Sequence, residues 1–160
     1  MEKTSFDEVL YTIVVADPRF ARGAYHFLRE GLGDTQQRIA KSEKGGVVRH
    51  IKGQELLGGL RDYALDQFGP MALMVLNEWG LRRCEDFGEV VFNMVDHRLL
   101  AKTEEDSRAD FAGGYDFDEA FRKPFLTAAA MANLPVRPSK PAGATVRIQF
   151  PPKPQSEDKN

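Results

Sequence analysis

The chain has one cysteine, no long apolar run and no excess of positive charge, and each of these shortages excludes a class of protein. The single cysteine, Cys84, excludes an internal disulfide and a cysteine-based zinc knuckle, which fits a reducing compartment. No apolar run approaches the roughly 20 residues of a membrane span, and residues 1–8 are polar and acidic. The formal net charge of -2 supplies no positive field for a phosphate backbone. We therefore expect a cytoplasmic protein without a membrane segment.

The sequence also lacks the common catalytic and cofactor motifs. It contains no G-x-S-x-G elbow, no phosphate-binding glycine loop and no dinucleotide fingerprint. Its histidines, His26, His50 and His97, are not spaced at i, i+4 as a metal-binding pair on one helix would be. Cys84 follows two arginines near a predicted helix start, a position that favours a thiolate, but a small structural residue is the favoured interpretation. We predict no catalytic, cofactor-binding or metal-binding residue.

The first part of the chain, residues 1–44, carries two predicted helices. Ser5 and Glu8 form a capping-box pattern ahead of apolar residues at i, i+3 and i+4 spacing. This helix should end near Asp17, because a residue before proline disfavours the helical region, and Asp17 should then cap a second helix that starts at Pro18. Two glycines at 45–46 end this part, and residues 47–51 alternate well enough to predict one short strand.

Residues 47–125 are predicted to form a winged-helix-like core. Apolar spacing and glycine stops predict helices over residues 53–68, 71–79 and 84–98, and residues 99–101 and 113–117 are then expected to pair as a hairpin with a polar tip. The predicted fold class is therefore mainly α with a small β-sheet (α+β), an N-terminal helical pair packed on this core. At 160 residues and 42% hydrophobic side chains, we expect one globular domain over residues 1–125.

The composition changes after residue 125. Residues 126–133 are alanine-rich, and six prolines follow, so we expect residues 126–160 to be a disordered Ala/Pro-rich tail. Within it, Val146, Ile148 and Phe150 alternate with polar residues, a pattern that suits addition to a sheet edge of this protein or of a partner. The simpler alternative is that this stretch is unstructured.

Several runs in the core carry a resemblance to known proteins. They are GQELL from Gly53, YAL from Tyr63, FGPMA from Phe68, EWG from Glu78, EDFGE from Glu85 and GGYDFDEAF from Gly113. Over roughly residues 5–125 the chain resembles an uncharacterised family of small bacterial proteins that is known by a locus-tag label and has no assigned activity. The resemblance implies a bacterial, cytoplasmic origin and implies no catalytic or binding residue.

Acidic side chains occupy the positions that would face nucleic acid in a winged-helix module. Glu85, Asp86 and Glu89 lie on the third predicted core helix, and Asp116 and Asp118 lie at the end of the predicted hairpin. Converging carboxylates can bind a divalent cation, but capping of a helix that begins near residue 119 explains the last two more simply. A negative surface opposes phosphate binding. We therefore list these five acids, with the tail residues Val146, Ile148 and Phe150, as a candidate protein-interaction surface.

These observations predict a non-catalytic protein-interaction or regulatory module that binds a protein, with no cofactor and no prediction of oligomeric state. The first alternative is a small-ligand-binding protein or enzyme with a pocket between the N-terminal helices and the core, around Tyr25, His26, Trp79 and Tyr115. The second alternative is a nucleic-acid-associated protein, which the charge disfavours. It would use basic residues around the first strand: Arg38, Lys41, Lys44, Arg49 and Lys52.

Overall fold

The computed structural model describes residues 4–43, 45–46 and 49–126, and all the regular secondary structure of this part is helical. The α-helices are α1 (Phe6–Ala16), α2 (Arg22–Ser42), α3 (Gly53–Phe68), α4 (Ala72–Glu78), α5 (Cys84–Asp96) and α6 (Phe117–Phe121). Three short 3-10 helices accompany them: Gly69–Met71, Arg108–Phe111 and Lys123–Phe125. One hydrophobic cluster extends from α1 to α6, so these helices share a single core.

The two N-terminal helices confirm one capping prediction and correct another. Ser5 and Glu8 form the predicted capping box, with the Glu8 carboxylate 2.9 Å from the Ser5 N–H. Helix α1 ends at Ala16, as the following Asp17–Pro18 pair predicts. Asp17 does not cap α2, however, because its carboxylate is bonded to Arg19 and α2 begins only at residue 22, after Ala21. Helix α2 then continues past Gly31 and Gly33 to Ser42.

Helices α2 and α3 form the centre of the fold, and their close approach requires a small residue on α3. A methyl group on Gly59 would lie 2.7 Å from Cγ2 and 2.9 Å from Cβ of Thr35, closer than packed carbon atoms approach. Thr35 is itself fully buried on α2 and donates a 2.7 Å hydrogen bond to the Gly31 carbonyl. Gly59 is therefore the position on α3 at which the two helices come close together. The fully buried Leu60 of α3 lies against Gly31 of α2, one turn of α2 away from Thr35.

The predicted β-sheet is wrong, because none of the described residues forms a strand. At the supposed first strand of the hairpin, the N–H groups of Leu99 and Leu100 both donate to the Met94 carbonyl and so complete the end of α5. At the supposed return strand, the Tyr115 N–H and C=O are both bonded to the Cys84 thiol. These backbone groups have no freedom to pair in a ladder. The winged-helix hairpin is therefore absent from the described part of the chain, and a loop with a 3-10 helix stands in its place.

The remaining strand prediction and the tail fall largely outside the described residues. Residues 47–48 are outside them, and residues 49–51 are not in a strand. The Arg49 guanidinium donates to the His50 carbonyl, a local contact of a loop. Residues 127–160, which include the predicted tail strand, also lie outside the described part.

Candidate functional site

An open groove of about 610 Å³ lies beside α4, at the end of the molecule where the described chain finishes. Its wall includes two of the most exposed large apolar side chains, Met74 at 57% and Phe125 at 43% exposure. Met71, 55% exposed, precedes the same helix. The complete lining is Pro70, Leu73, Met74, Asn77, Glu78, Arg82, Phe121, Arg122, Phe125 and Leu126.

The local sequence explains why apolar side chains remain outside here. Helix α4 is apolar on nearly every side, but in seven residues it buries only Ala72 and Leu76. Leu73 and Met74 lie on the part of the helix surface left over and line the groove. On the other wall, the 3-10 helix Lys123–Phe125 begins two residues after the fully buried Phe121 and carries Phe125. Helix α4 and the 3-10 helix Lys123–Phe125 therefore leave a shared apolar surface uncovered.

The charged residues of the groove have a positive excess. Arg82, Arg122 and Glu78 line it. Within the described chain no ion pair is formed by the side chain of any of the three, whereas the neighbouring Lys123 is 3.0 Å from Glu119. Two exposed guanidinium groups therefore stand beside apolar surface with their bidentate hydrogen-bonding capacity unused by described residues.

The acids predicted as an interaction surface are largely engaged within the fold. Asp86 accepts hydrogen bonds from the backbone N–H groups of residues 82 and 83, ahead of α5. Asp116 caps α6 by accepting from the N–H groups of residues 118 and 119, which confirms the capping interpretation. Glu89 pairs with two arginines, whereas Glu85 and Asp118 are half-buried on α5 and α6. The tail members Val146, Ile148 and Phe150 lie outside the described residues. A partner-binding role for this set stays a prediction.

Glu89 belongs to a row of alternating charges on the surface of α5. Arg19 contacts both Asp17, at 2.7 Å, and Glu89, at 3.3 Å, and Arg108 contacts both Glu89, at 3.5 Å, and Asp96, at 3.9 Å. The hydrogen bonds from Arg19 hold the pKa of Asp17 well below its usual range, although burial opposes the shift. The predicted negative surface of this helix is therefore largely neutralised by arginines from elsewhere in the chain.

Cys84 is a structural residue in this arrangement. Its side chain is buried, and its sulfur lies 3.3 Å from both the backbone N and the backbone O of Tyr115. Burial raises the pKa of the thiol to about 12, so at neutral pH it is not a thiolate. The favoured interpretation of the sequence, a packing role, agrees with this geometry.

The four residues proposed for a ligand pocket have separate environments in the described structure. Tyr25 is fully buried and accepts a hydrogen bond from Asn93, and Tyr115 donates one to the Leu57 carbonyl. His26 lies at the surface, 3.6 Å from Asp7. Trp79 fills the space over Gly23 and packs edge-on against Phe68. None of these four side chains lines the α4 groove or a second cavity, of about 230 Å³, beside α5.

The basic cluster proposed for nucleic acid is also partly engaged within the fold. Arg38 is buried 3.2 Å from Asp34, and this burial lowers its pKa. Arg49 is bonded to Glu55 and Glu43, and these hydrogen bonds raise its pKa. Lys41 and Lys52 are exposed, and Lys44 lies outside the described residues. Two of the five basic groups are therefore committed to carboxylates of the chain itself.

Sequence reasoning missed the groove, although one signal pointed to it. The run from residue 71 to 79 is apolar on all sides, and such a helix is normally buried on all sides. Among the described residues α4 packs mainly against α3, α6 and the preceding 3-10 helix, and these leave part of its surface exposed. Which part stays exposed depends on tertiary packing, which the local sequence does not show.

Comparison with known proteins gives no match: no family model, no curated protein and no solved structure is similar to this chain. Over the described residues, none of the helices combines the length and the apolar character needed to cross a membrane. The same part of the chain contains no group of three or more His, Cys, Asp or Glu side chains placed to bind a metal ion.

Proposed function

We propose that the protein is a non-catalytic interaction module whose α4 groove binds a short segment of another protein, with two or three apolar side chains next to an acidic residue. The observation that carries this proposal is the exposure of Met74 and Phe125 in one groove that also presents two arginines without ion pairs in the described chain. Contiguous exposed apolar surface with a polar rim is typical of protein-binding sites, and methionine adapts its shape to its partner.

The openness of the groove favours a macromolecule over a small molecule. Small-ligand sites are concave and bury most of the ligand surface. The α4 groove instead has side chains about half exposed to solvent. A peptide segment can lie along such a surface and bury apolar area at roughly 25 cal/mol per Å². Apolar side chains would therefore supply most of the binding free energy.

The charges at the rim of the groove support an acidic residue in the partner segment. Arg82 and Arg122 are exposed, and a guanidinium group binds a carboxylate in a planar, bidentate manner. Glu78 at the same rim carries the opposite charge, but the two arginines outnumber it. An acidic residue beside the apolar side chains therefore matches the groove best.

The test is selection from a displayed library of random 15-residue peptides on the immobilised full-length protein. We expect enrichment of peptides that combine large apolar residues with Asp or Glu. Binding of a selected synthetic peptide should weaken at least about tenfold in Met74→Glu and in Phe125→Glu, since both place a charge in the apolar surface. Tyr11→Glu is the matched control, because Tyr11 is 67% exposed on α1, does not line the groove, and should leave binding unchanged.

Other occupants of the groove would contradict the proposal. A concentration-dependent dimer in sedimentation, abolished by Met74→Glu, would show that a second copy fills it. Loss of peptide selection from the full chain, restored when residues 127–160 are removed, would show that the tail of the same chain fills it. Selected peptides that bind Met74→Glu and Phe125→Glu as tightly as wild type would place the binding surface elsewhere.

A further inference from the structure

A second cavity, of about 230 Å³, lies between α2, α5, the start of α3 and the loop that follows α5. Its walls are apolar: Leu32, Ile51, Leu56, Val91, Phe92 and Phe111 line it. Four of these six are less than a tenth exposed, so the cavity reaches into the core. It shares no lining residue with the α4 groove.

Two segments far apart in sequence meet at the lining of the cavity. His50, just before α3, has its Nε2 2.7 Å from Oδ2 of Asp106 in the loop. Asp106 also accepts hydrogen bonds from the N–H and the hydroxyl of Thr103. Burial acts to raise the pKa of Asp106, but the hydrogen bonds from Thr103 and the nearby imidazole lower it overall. The carboxylate is thus already satisfied by groups of the protein.

The polar residues of the lining carry opposing charges. Asp106 and Asp110 contribute two carboxylates, and Lys102 and His50 contribute one ammonium group and one imidazole. Asp110 accepts a 2.8 Å hydrogen bond from the Ser107 N–H, so it too is bonded within the loop. An anionic ligand would meet two carboxylates and a cationic ligand would meet Lys102, so neither charge is favoured at this lining. Because both carboxylates already accept hydrogen bonds within the loop and Lys102 lines the same cavity, an uncharged polar group suits this lining better than a charged one.

We propose that this cavity binds a small uncharged molecule that has an apolar body, of the size of one ring with a short substituent, and a single hydroxyl or carbonyl group. The size follows from the volume, since a dry apolar cavity of about 150 Å³ accommodates benzene and drug-sized ligands occupy at least about 300 Å³. The apolar walls receive the body of the ligand, and the polar lining near Lys102 and Asp110 receives its hydroxyl or carbonyl group.

The proposal is tested by calorimetric titration of the full-length protein with 3-phenylpropan-1-ol and with two charged analogues of the same size, 3-phenylpropanoate and 3-phenylpropylamine. We expect the alcohol to bind at least about tenfold more tightly than either analogue. Nuclear Overhauser contacts between the probe ring and the Val91 methyl groups should place it in the cavity. Tighter binding of a charged analogue, or no binding of the alcohol up to its solubility limit, would overturn the proposal.

Two variants and one control locate the site. Val91→Phe fills the interior, and Gln36→Trp adds bulk at a half-buried lining position, where a folding defect is less of a risk. Each should weaken binding of the alcohol at least about tenfold. Met74→Glu alters only the α4 groove and should leave binding of the alcohol unchanged. Failure of this proposal can therefore be distinguished from failure of peptide binding. Unchanged affinity in both cavity variants, or loss of affinity in Met74→Glu, would show that the probe binds elsewhere.

Discussion

The contact between Gly59 and Thr35 gives the sharpest stability prediction, because it reverses the normal effect of replacing a helical glycine. In an unobstructed helix, Gly→Ala stabilises by roughly 1 kcal/mol through backbone entropy and helix propensity. Gly33 on α2 is such a position, since a methyl group there would have no atom within 4 Å. Gly33→Ala should therefore raise the free energy of unfolding by about 0.5 to 1 kcal/mol.

At Gly59 the same methyl group would overlap the Thr35 side chain. Overpacking of a close-packed core costs about 1 to 3 kcal/mol, and the overlap here involves the Thr35 hydroxyl as well as its carbon atoms at 2.7 and 2.9 Å. Thr35 is fully buried in the α2–α3 interface and cannot rotate into solvent. Subtracting the helix-propensity gain of about 1 kcal/mol from a cost near the upper end, Gly59→Ala should destabilise the protein by about 1 to 2 kcal/mol.

Urea unfolding followed by far-UV circular dichroism measures both variants against wild type. A double-mutant cycle adds Thr35→Ala, which removes the hydroxyl and the methyl group that the new side chain would meet. We expect Gly59→Ala to cost less in the Thr35→Ala background by at least about 1 kcal/mol, because the two residues are in contact. If Gly59→Ala stabilised the protein as much as Gly33→Ala, the close approach of α2 and α3 at this point would be refuted.

Three further predictions follow from single contacts. Trp79→Ala should cost about 3 to 5 kcal/mol, since the indole fills the space over Gly23, and an unchanged urea midpoint would contradict that packing. Cys84 should react with a thiol reagent such as DTNB only as fast as the chain opens, because the thiol is buried with its pKa raised to about 12; rapid labelling of the native protein at pH 7.5 would contradict this. The folded pKa of Asp17 is lowered by Arg19, so its stabilising contribution is present above the unfolded pKa near about 3.9 and is lost as pH falls below it. Asp17→Asn should therefore be destabilising at pH 6, and the difference from wild type in thermal midpoint should shrink between about pH 4 and pH 2.

The helices could be predicted from sequence because their signals are local. The Ser5–Glu8 capping box, the stop at the residue before Pro18 and the end of α3 before Gly69 all depend on side chains within a few residues of the helix ends. The start of α2 could not be predicted in this way. Asp17 has the right chemistry for a cap, but Arg19 and the distant Asn93 bind its carboxylate instead. The hydrogen bond from Asn93, which is distant in sequence, cannot be predicted from the residues next to Asp17.

The predicted hairpin failed for a similar reason. Short apolar runs beside glycines have the composition of strands, but a strand also needs backbone groups that are free to pair. Leu99 and Leu100 use their N–H groups to end α5, and Tyr115 uses its backbone on the Cys84 sulfur, 31 residues earlier in the chain. No composition or periodicity in the sequence indicates that a thiol will occupy those groups.

The fold also changes what the acidic residues of α5 imply about function. Acids on α5 were interpreted as a negative surface because sequence alone shows which charges share a helix, not which charges face them. Arg19 and Arg108 reach Glu89 from opposite directions along the chain, and exposed pairs of this kind contribute little to stability, with a median of about 0 to 1 kcal/mol. These ion pairs matter chiefly for recognition. Charges that neutralise one another leave little net electrostatic field to attract a partner. The groove residues Arg82 and Arg122 form no ion pair with the described chain. The positive charge that an acidic partner could contact therefore lies beside α4. This difference in the sign and position of the available charge is the reason to seek acidic, apolar peptides and not basic ones.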